Sequence, residues 1–260
     1  MGEHHYWFEF IPGLPELETR LGILLGIHPT GPDGHVSLYH VVMAAFVALL
    51  IVALLVKAGL NRLPAEERIV PEDELSVRTF FELMMEAVLG LMRDIIGPDH
   101  AERYLPLIGT LAVFILFSNI MGLIPGMQPP TSSLNTTLAC SIPVFFATHY
   151  FGVKEHGLGY FKHFLGPIIA WYALPLMVIM LLIEIISHIA RPVSLALRLF
   201  GNITGDHMVL ALFAGLVSIP LFYPVPIMVL GVLVAIVQTL VFCLLSMVYI
   251  GMAVAHEEGH

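Results

Sequence analysis

Residues 181–210 read LLIEIISHIARPVSLALRLFGNITGDHMVL. The run is apolar enough to cross a membrane, yet it holds Glu184, His188, Arg191, Arg198, Asp206 and His207. An arginine or aspartate at the centre of a spanning helix costs roughly 2.5–3.5 kcal/mol on insertion scales. Such residues normally face a protein interior or a water-filled path. Their spacing predicts that they share a face. Glu184, His188, Arg191, Leu195, Arg198, Asn202 and Asp206 follow one another by steps of three and four, which hold to one side of an α-helix. From 184 to 206 the stripe rises through 22 residues, about 33 Å at 1.5 Å per residue. A bilayer's hydrocarbon layer is about 30 Å thick. One helix therefore carries titratable groups across nearly the whole dielectric barrier. Glu184, Ser187 and His188, at i, i+3 and i+4, gather at one end, Glu184 about 21 Å along the axis from Arg198.

Each of these residues also has a plainer reading. Arg191 beside Pro192 suits an interfacial side chain that snorkels as well as a functional charge. Glu184 and His188 suit a local pair as well as a path. Arg198 has no such excuse, because it lies seven residues beyond Arg191 among leucines and a phenylalanine.

Working outward, the whole chain agrees with the stripe. Of its 260 residues, 58% are apolar and 12% are charged, against about 45–50% and 25% in soluble domains. That excludes a soluble enzyme, and the hydrophobicity excludes a disordered chain. A net charge of −9 argues against nucleic acid as a partner. Cys140 and Cys243 lie far apart in apolar runs and read as core residues. The expected fold is all-α: one polytopic membrane domain over 1–260.

Charge-free stretches mark the spans, each about 20 apolar residues. Residues 37–57 form the first. Residues 104–153 form a hairpin of two, about 104–123 and 136–153, turned by Pro125, Gly126, Pro129 and Pro130. Two long channel-forming helices follow, over 168–218 and 227–255, parted by Pro220, Pro224 and Pro226. That makes about five transmembrane helices. Residues 72–96 alternate charged residues with Phe81, Met85, Val88 and Met92 at helical spacing, as an amphipathic helix at the interface would. Residues 1–36 read as an outer surface segment and not a cleaved signal.

Lys57, Arg62, Arg68, Arg78, Arg93 and Arg103 follow the first span, and Lys154 and Lys162 follow the third. The bias of lysine and arginine towards the cytoplasm places those loops inside, the N-terminus outside and the C-terminus in the cytoplasm. Tyr39, Tyr104, Tyr150, Trp171, Tyr223 and Tyr249 fall near expected span ends, as an aromatic belt would. His149, His156 and His163 recur every seven residues, but Gly152, Gly157 and Gly159 predict a broken helix there, a loop cluster and no metal site. Gly201 and Gly205 supply small-residue spacing at which a partner helix approaches closely.

The run Arg191-Pro192-Val193-Ser194-Leu195-Ala196-Leu197-Arg198-Leu199-Phe200-Gly201-Asn202 resembles the signature of the a subunit of bacterial F-type ATP synthases. Ser118-Asn119-Ile120-Met121-Gly122-Leu123-Ile124-Pro125-Gly126, the turn after it and Leu134-Asn135-Thr136-Thr137 resemble the family's earlier hairpin. Gln238 falls where its last helix carries a glutamine. The order of elements matches from about residue 37 onward.

The resemblance implies a proton-conducting stator in the cell inner (plasma) membrane, non-catalytic itself and without a cofactor or metal. The last two long helices would pack against a ring of c subunits. Two aqueous half-channels would reach the ring carboxylate from opposite sides, with Arg198 between them. Asn202, Asp206, His207 and Gln238 would line the outer one, and Glu184, Ser187 and His188 the cytoplasmic one. Peripheral-stalk subunits of the b type, the surrounding lipid and, indirectly, the catalytic sector are the other implied partners. The sequence departs from the family at Gly231, seven residues before Gln238, where many relatives carry an ionisable partner for the position of His207. Asp206 is the candidate to supply that carboxylate.

Two other classes fit less well. A self-contained transporter would show an internal repeat or paired broken helices. An intramembrane enzyme would show a motif such as His-Glu-x-x-His. The sequence has neither.

Overall fold

A computed structural model describes Arg20 and residues 39–58, 76–124, 127–157, 159–160, 174–216 and 224–254. Most of the expected surface segment 1–36, the helix start near 168, His163, Trp171, Tyr223 and the histidine-bearing termini lie outside the described residues. Among the described residues the regular structure is entirely helical. It comprises α1 (Tyr39–Lys57), α2 (Val77–Ile95), α3 (Pro98–Met121), a short 3-10 turn (Pro130–Ser132), α4 (Leu134–His156), α5 (Leu174–Leu216) and α6 (Pro224–Val254). Five of these helices, all but α2, are long and apolar enough to cross a membrane. The protein is a polytopic helical membrane protein.

Local chemistry sets the boundaries. Ser76 caps α2 by accepting the N–H of Thr79 at 3.2 Å. Phe81, Val88 and Met92 point inward from α2, whereas Glu86, Arg93 and Asp94 are exposed. Gly97, at φ +97°, makes the turn into α3. Pro98 then opens that helix, at a position where its missing N–H costs nothing. So α3 begins well before the charge-free stretch that announced it.

Three clusters hold the bundle. Val88 and Met92 of α2 pack with Ala101, Tyr104 and Ile108 of α3 and Cys243, Met247 and Ile250 of α6. Ile115 joins Cys140 and Val144 of α4, Leu195, Leu199 and Ile203 of α5, and Phe242 of α6. Tyr39, Met43 and Val47 fasten α1 to Met121. The two cysteines are buried and free.

Two expectations need correcting. Tyr104 is 1% exposed and packs on Phe151, ring centroids 4.2 Å apart, and Tyr39 is buried too. Neither is a belt residue. For Tyr104 the reason is the early start of α3, which puts it well inside the helix. The helix through His149 is also unbroken: α4 continues past Gly152 to His156 and ends at Gly157, φ +58°.

The contacts define two ends. At one, the backbone N–H of Gln128 donates to the Tyr39 hydroxyl at 3.3 Å, tying the start of α1 to the α3–α4 hairpin. At the other, Arg103 pairs with Glu155 at 3.3 Å, joining the start of α3 to the end of α4. Gly251 of α6 lies there beside the Ile95 carbonyl. We refer to these as the hairpin end and the charged end.

Helix α5 runs for 43 residues, about 64 Å. That is roughly twice the hydrocarbon thickness, so α5 must incline or project beyond the layer. It is also the least covered helix. Only 6% of its spanning window is buried, against 50% for α3, which leaves a broad apolar face for lipid or another chain.

Candidate functional site

Arg198 sits on α5 at the border of that bare face. Leu195, Ala196, Leu199 and Ile203 turn into the bundle, and Val193, Leu197 and Gly201 turn out. Arg198 itself is exposed and makes no ion pair among the described residues. One turn on, Asn202 Nδ2 donates to Gln238 Oε1 of α6 at 2.5 Å. Gln238 is 3% exposed, and its Nε2 has no hydrogen-bond partner among the described residues. A buried donor left so costs about 1–3 kcal/mol, which marks a place for water or a passing ligand.

At the hairpin end, α5 brings Asp206 and His207 against α3 and α6. A Cβ on Gly122 would lie 2.8 Å from His207 Nε2. A Cβ on Gly231 would lie 3.4 Å from Asp206 Oδ2 and would collide with Leu123. Both glycines make room for the α5 side chains. On α3, Asn119 is buried and accepts the Thr131 hydroxyl at 2.8 Å. Its Nδ2, Ser118 Oγ and Thr204 Oγ1 are buried without hydrogen-bond partners among the described residues. Sequence reasoning did not place Ser118, Asn119, Thr131 and Thr204 at the site. The available signal was hydrogen-bonding side chains inside runs otherwise apolar.

At the charged end, His188 Nδ1 donates to the Glu184 carbonyl at 2.9 Å and lies 3.3 Å from its carboxylate. Ser187 is half-buried beside them. The Arg191 guanidinium rests over the Tyr249 ring, 5.5 Å from its centroid. Among the described residues no three histidine, cysteine, aspartate or glutamate side chains meet to hold a metal.

The structure thus joins Glu184 to His188, Asn202 to Gln238, and Asp206 to the space beside Gly231. It sets the first and last of these at opposite ends, with Arg198 between. It draws no hydrogen bond from Asp206 or His207 to Gln238. What the fold and the site define is a helical membrane protein with a polar seam crossing its bilayer-spanning core.

Comparison with known proteins agrees. Residues 39–251 match the family model described as ATP synthase A chain. The chain is 44% identical over 258 residues to ATP synthase subunit a of Sorangium cellulosum, covering 98% of this chain and 96% of that one. It is 42% identical over 244 residues to ATP synthase subunit a of Trichlorobacter lovleyi, covering 94% and 96%. It is 53% identical over 184 residues to ATP synthase subunit a 2 of Syntrophotalea carbinolica, covering 71% and 74%. The chain belongs to the ATP synthase a subunit family. It is a non-catalytic, proton-translocating subunit of the membrane sector, and it works in a complex with other ATP synthase subunits.

Proposed function

We propose that the chain is the stator that couples proton flow to rotation of a c-subunit ring, with Arg198 as the essential charge. One observation carries this reading: an exposed guanidinium with no ion pair among the described residues, on a spanning helix between polar clusters at opposite ends. A carboxylate on a lipid-facing ring is protonated, because burying its charged form is costly. Beside a guanidinium the charged form is favoured. Arginine does not give up its own proton. Arg198 therefore triggers release of the ring proton, pairs briefly with the carboxylate and blocks direct leak. Each charge crossing 100 mV supplies about 2.3 kcal/mol. Because the half-channels are offset, a proton must travel round the ring to leave.

In this reading Asn202, Asp206, His207 and Gln238 line the outer half-channel, and Glu184, Ser187 and His188 the cytoplasmic one. Asp206 stands in for an ionisable side chain at Gly231. The hairpin end faces outward in a cell inner membrane, and the charged end and the C-terminus face the cytoplasm. Peripheral-stalk subunits of the b type hold the chain against the torque and tie it to the catalytic sector. The bare face of α5 supports a ring partner. A Cβ on Gly201 or Gly205 would meet nothing within 4 Å, which leaves room for a close helix. The test is cross-linking in the intact complex. A cysteine replacing Leu197 or Gly201 should cross-link to a small hydrophobic ring protein that copurifies. Exclusive cross-linking to any other protein, or none at all, contradicts the proposal.

A further inference from the structure

At the charged end, a network runs from α5 across to α4 and the turn after it. Tyr160 folds back onto α4, where a Cβ on Gly152 would come within 2.5 Å of its ring. Glycine at 152 is what seats it. The Tyr160 hydroxyl and His149 Nδ1 share a 2.9 Å hydrogen bond. The His149 ring stacks on His188 of α5, centroids 5.1 Å apart and planes 24° from parallel. His188 in turn meets the Glu184 carboxylate at 3.3 Å. A small cavity bordered by Thr148, His149, His188, Arg191, Pro192 and Tyr249 opens beside the two rings.

We propose that His149 and Tyr160 extend the proton path of the charged-end half-channel, carrying protons from Glu184 and His188 across the cavity to the turn after α4. The proposal rests on the reading of that half-channel given above. Imidazole takes and releases protons near neutrality, and two such rings flank one cavity. Two charged rings stacked face to face repel, so the pair handles one proton at a time. The other groups facing them are the Glu184 carboxylate, the Arg191 guanidinium and the hydroxyls of Tyr160 and Tyr249. Nδ1 of His188 already carries the hydrogen given to the Glu184 carbonyl, so the proton of the Glu184 carboxylic acid reaches Nε2 through water, leaving a carboxylate and an imidazolium. His188 passes a proton to His149 through a single bridging water, the most that so small and largely apolar a cavity admits. His149 gives one from Nδ1 to the Tyr160 oxygen as that hydroxyl yields its own to water. One proton has then reached water; Glu184 is left as the carboxylate until the next proton from the ring side reaches it, His149 resets its tautomer through water, and the sequence runs equally in reverse.

The experiment measures passive proton conduction in inverted membrane vesicles stripped of the catalytic sector, with subunit content checked for each variant. His149→Phe keeps a ring for stacking, and Tyr160→Phe keeps the ring seated on Gly152. Each should lower conduction roughly a hundredfold, the lower end of what a positioned proton-transfer group contributes. Imidazole in the medium should restore His149→Ala. Wild-type conduction in both phenylalanine variants would overturn the proposal, as would a His149→Ala loss that phenylalanine repairs and imidazole does not. Arg198→Ala, assayed for coupling in vesicles that keep the catalytic sector and for leak in stripped ones, separates the two readings. If it stays fully coupled, the parent reading fails. If it behaves as an uncoupled leak while the phenylalanine variants conduct normally, only the extension fails.

Discussion

Asp206 presents its carboxylate from α5 into the space a side chain at Gly231 would need. A side chain at 231 would touch that carboxylate at 3.4 Å and would first have to move the Leu123 methyl. With His207 one residue on, against Gly122, the hairpin end holds an acid and an imidazole on adjacent positions of one helix. We expect Asp206→Asn and His207→Ala each to slow ATP-driven proton pumping. The double change should cost less than the product of the two if they form one relay. Normal pumping in both single variants would remove Asp206 from the path. The family resemblance pointed to Asp206, as the carboxylate next to His207 where the partner carried by many relatives is replaced by Gly231. The sequence was silent on Leu123 and Asn119, because contacts between α3, α5 and α6 leave no trace in spacing along one helix.

Helix α5 was the most legible element. Steps of three and four predicted a shared face, and the helix is continuous through all of them. Spacing alone could not tell its two arginines apart. They are seven residues apart on one stripe, yet Arg191 rests on Tyr249 while Arg198 is exposed, with no ion pair among the described residues. Helix α4 was misread for a physical reason. Glycine costs a helix about 1 kcal/mol relative to alanine and so reads as a breaker. At Gly152 the packed Tyr160 ring is the reason for the glycine. The arrangement of α5 also predicts access. Silver ions should inhibit a Ser187→Cys variant from the cytoplasmic side and a His207→Cys variant from the outer side. Inhibition of both from one side would contradict two half-channels opening at opposite ends.

For the molecule as a whole, the count of spans and the all-helical class were legible in charge-free stretches. The reach of α5, about twice the bilayer's hydrocarbon, and its lack of cover emerge only with the bundle assembled. A 43-residue helix with 6% of its spanning window buried leaves one side for another body. Arg198 stands at the edge of that side, at an insertion cost of roughly 2.5–3.5 kcal/mol that no ion pair among the described residues offsets. The central claim is that this charge both drives and insulates proton transfer. The most direct measurement is proton flux in vesicles carrying Arg198→Ala, with and without the catalytic sector. The account predicts loss of ATP-driven pumping and of proton-driven ATP synthesis, together with a passive leak through the membrane sector. Arg191→Ala should lose no more than about fivefold, the worth of a cation–π contact of roughly 1 kcal/mol. Retained coupling in Arg198→Ala, or an Arg191→Ala variant equally inactive, would contradict it.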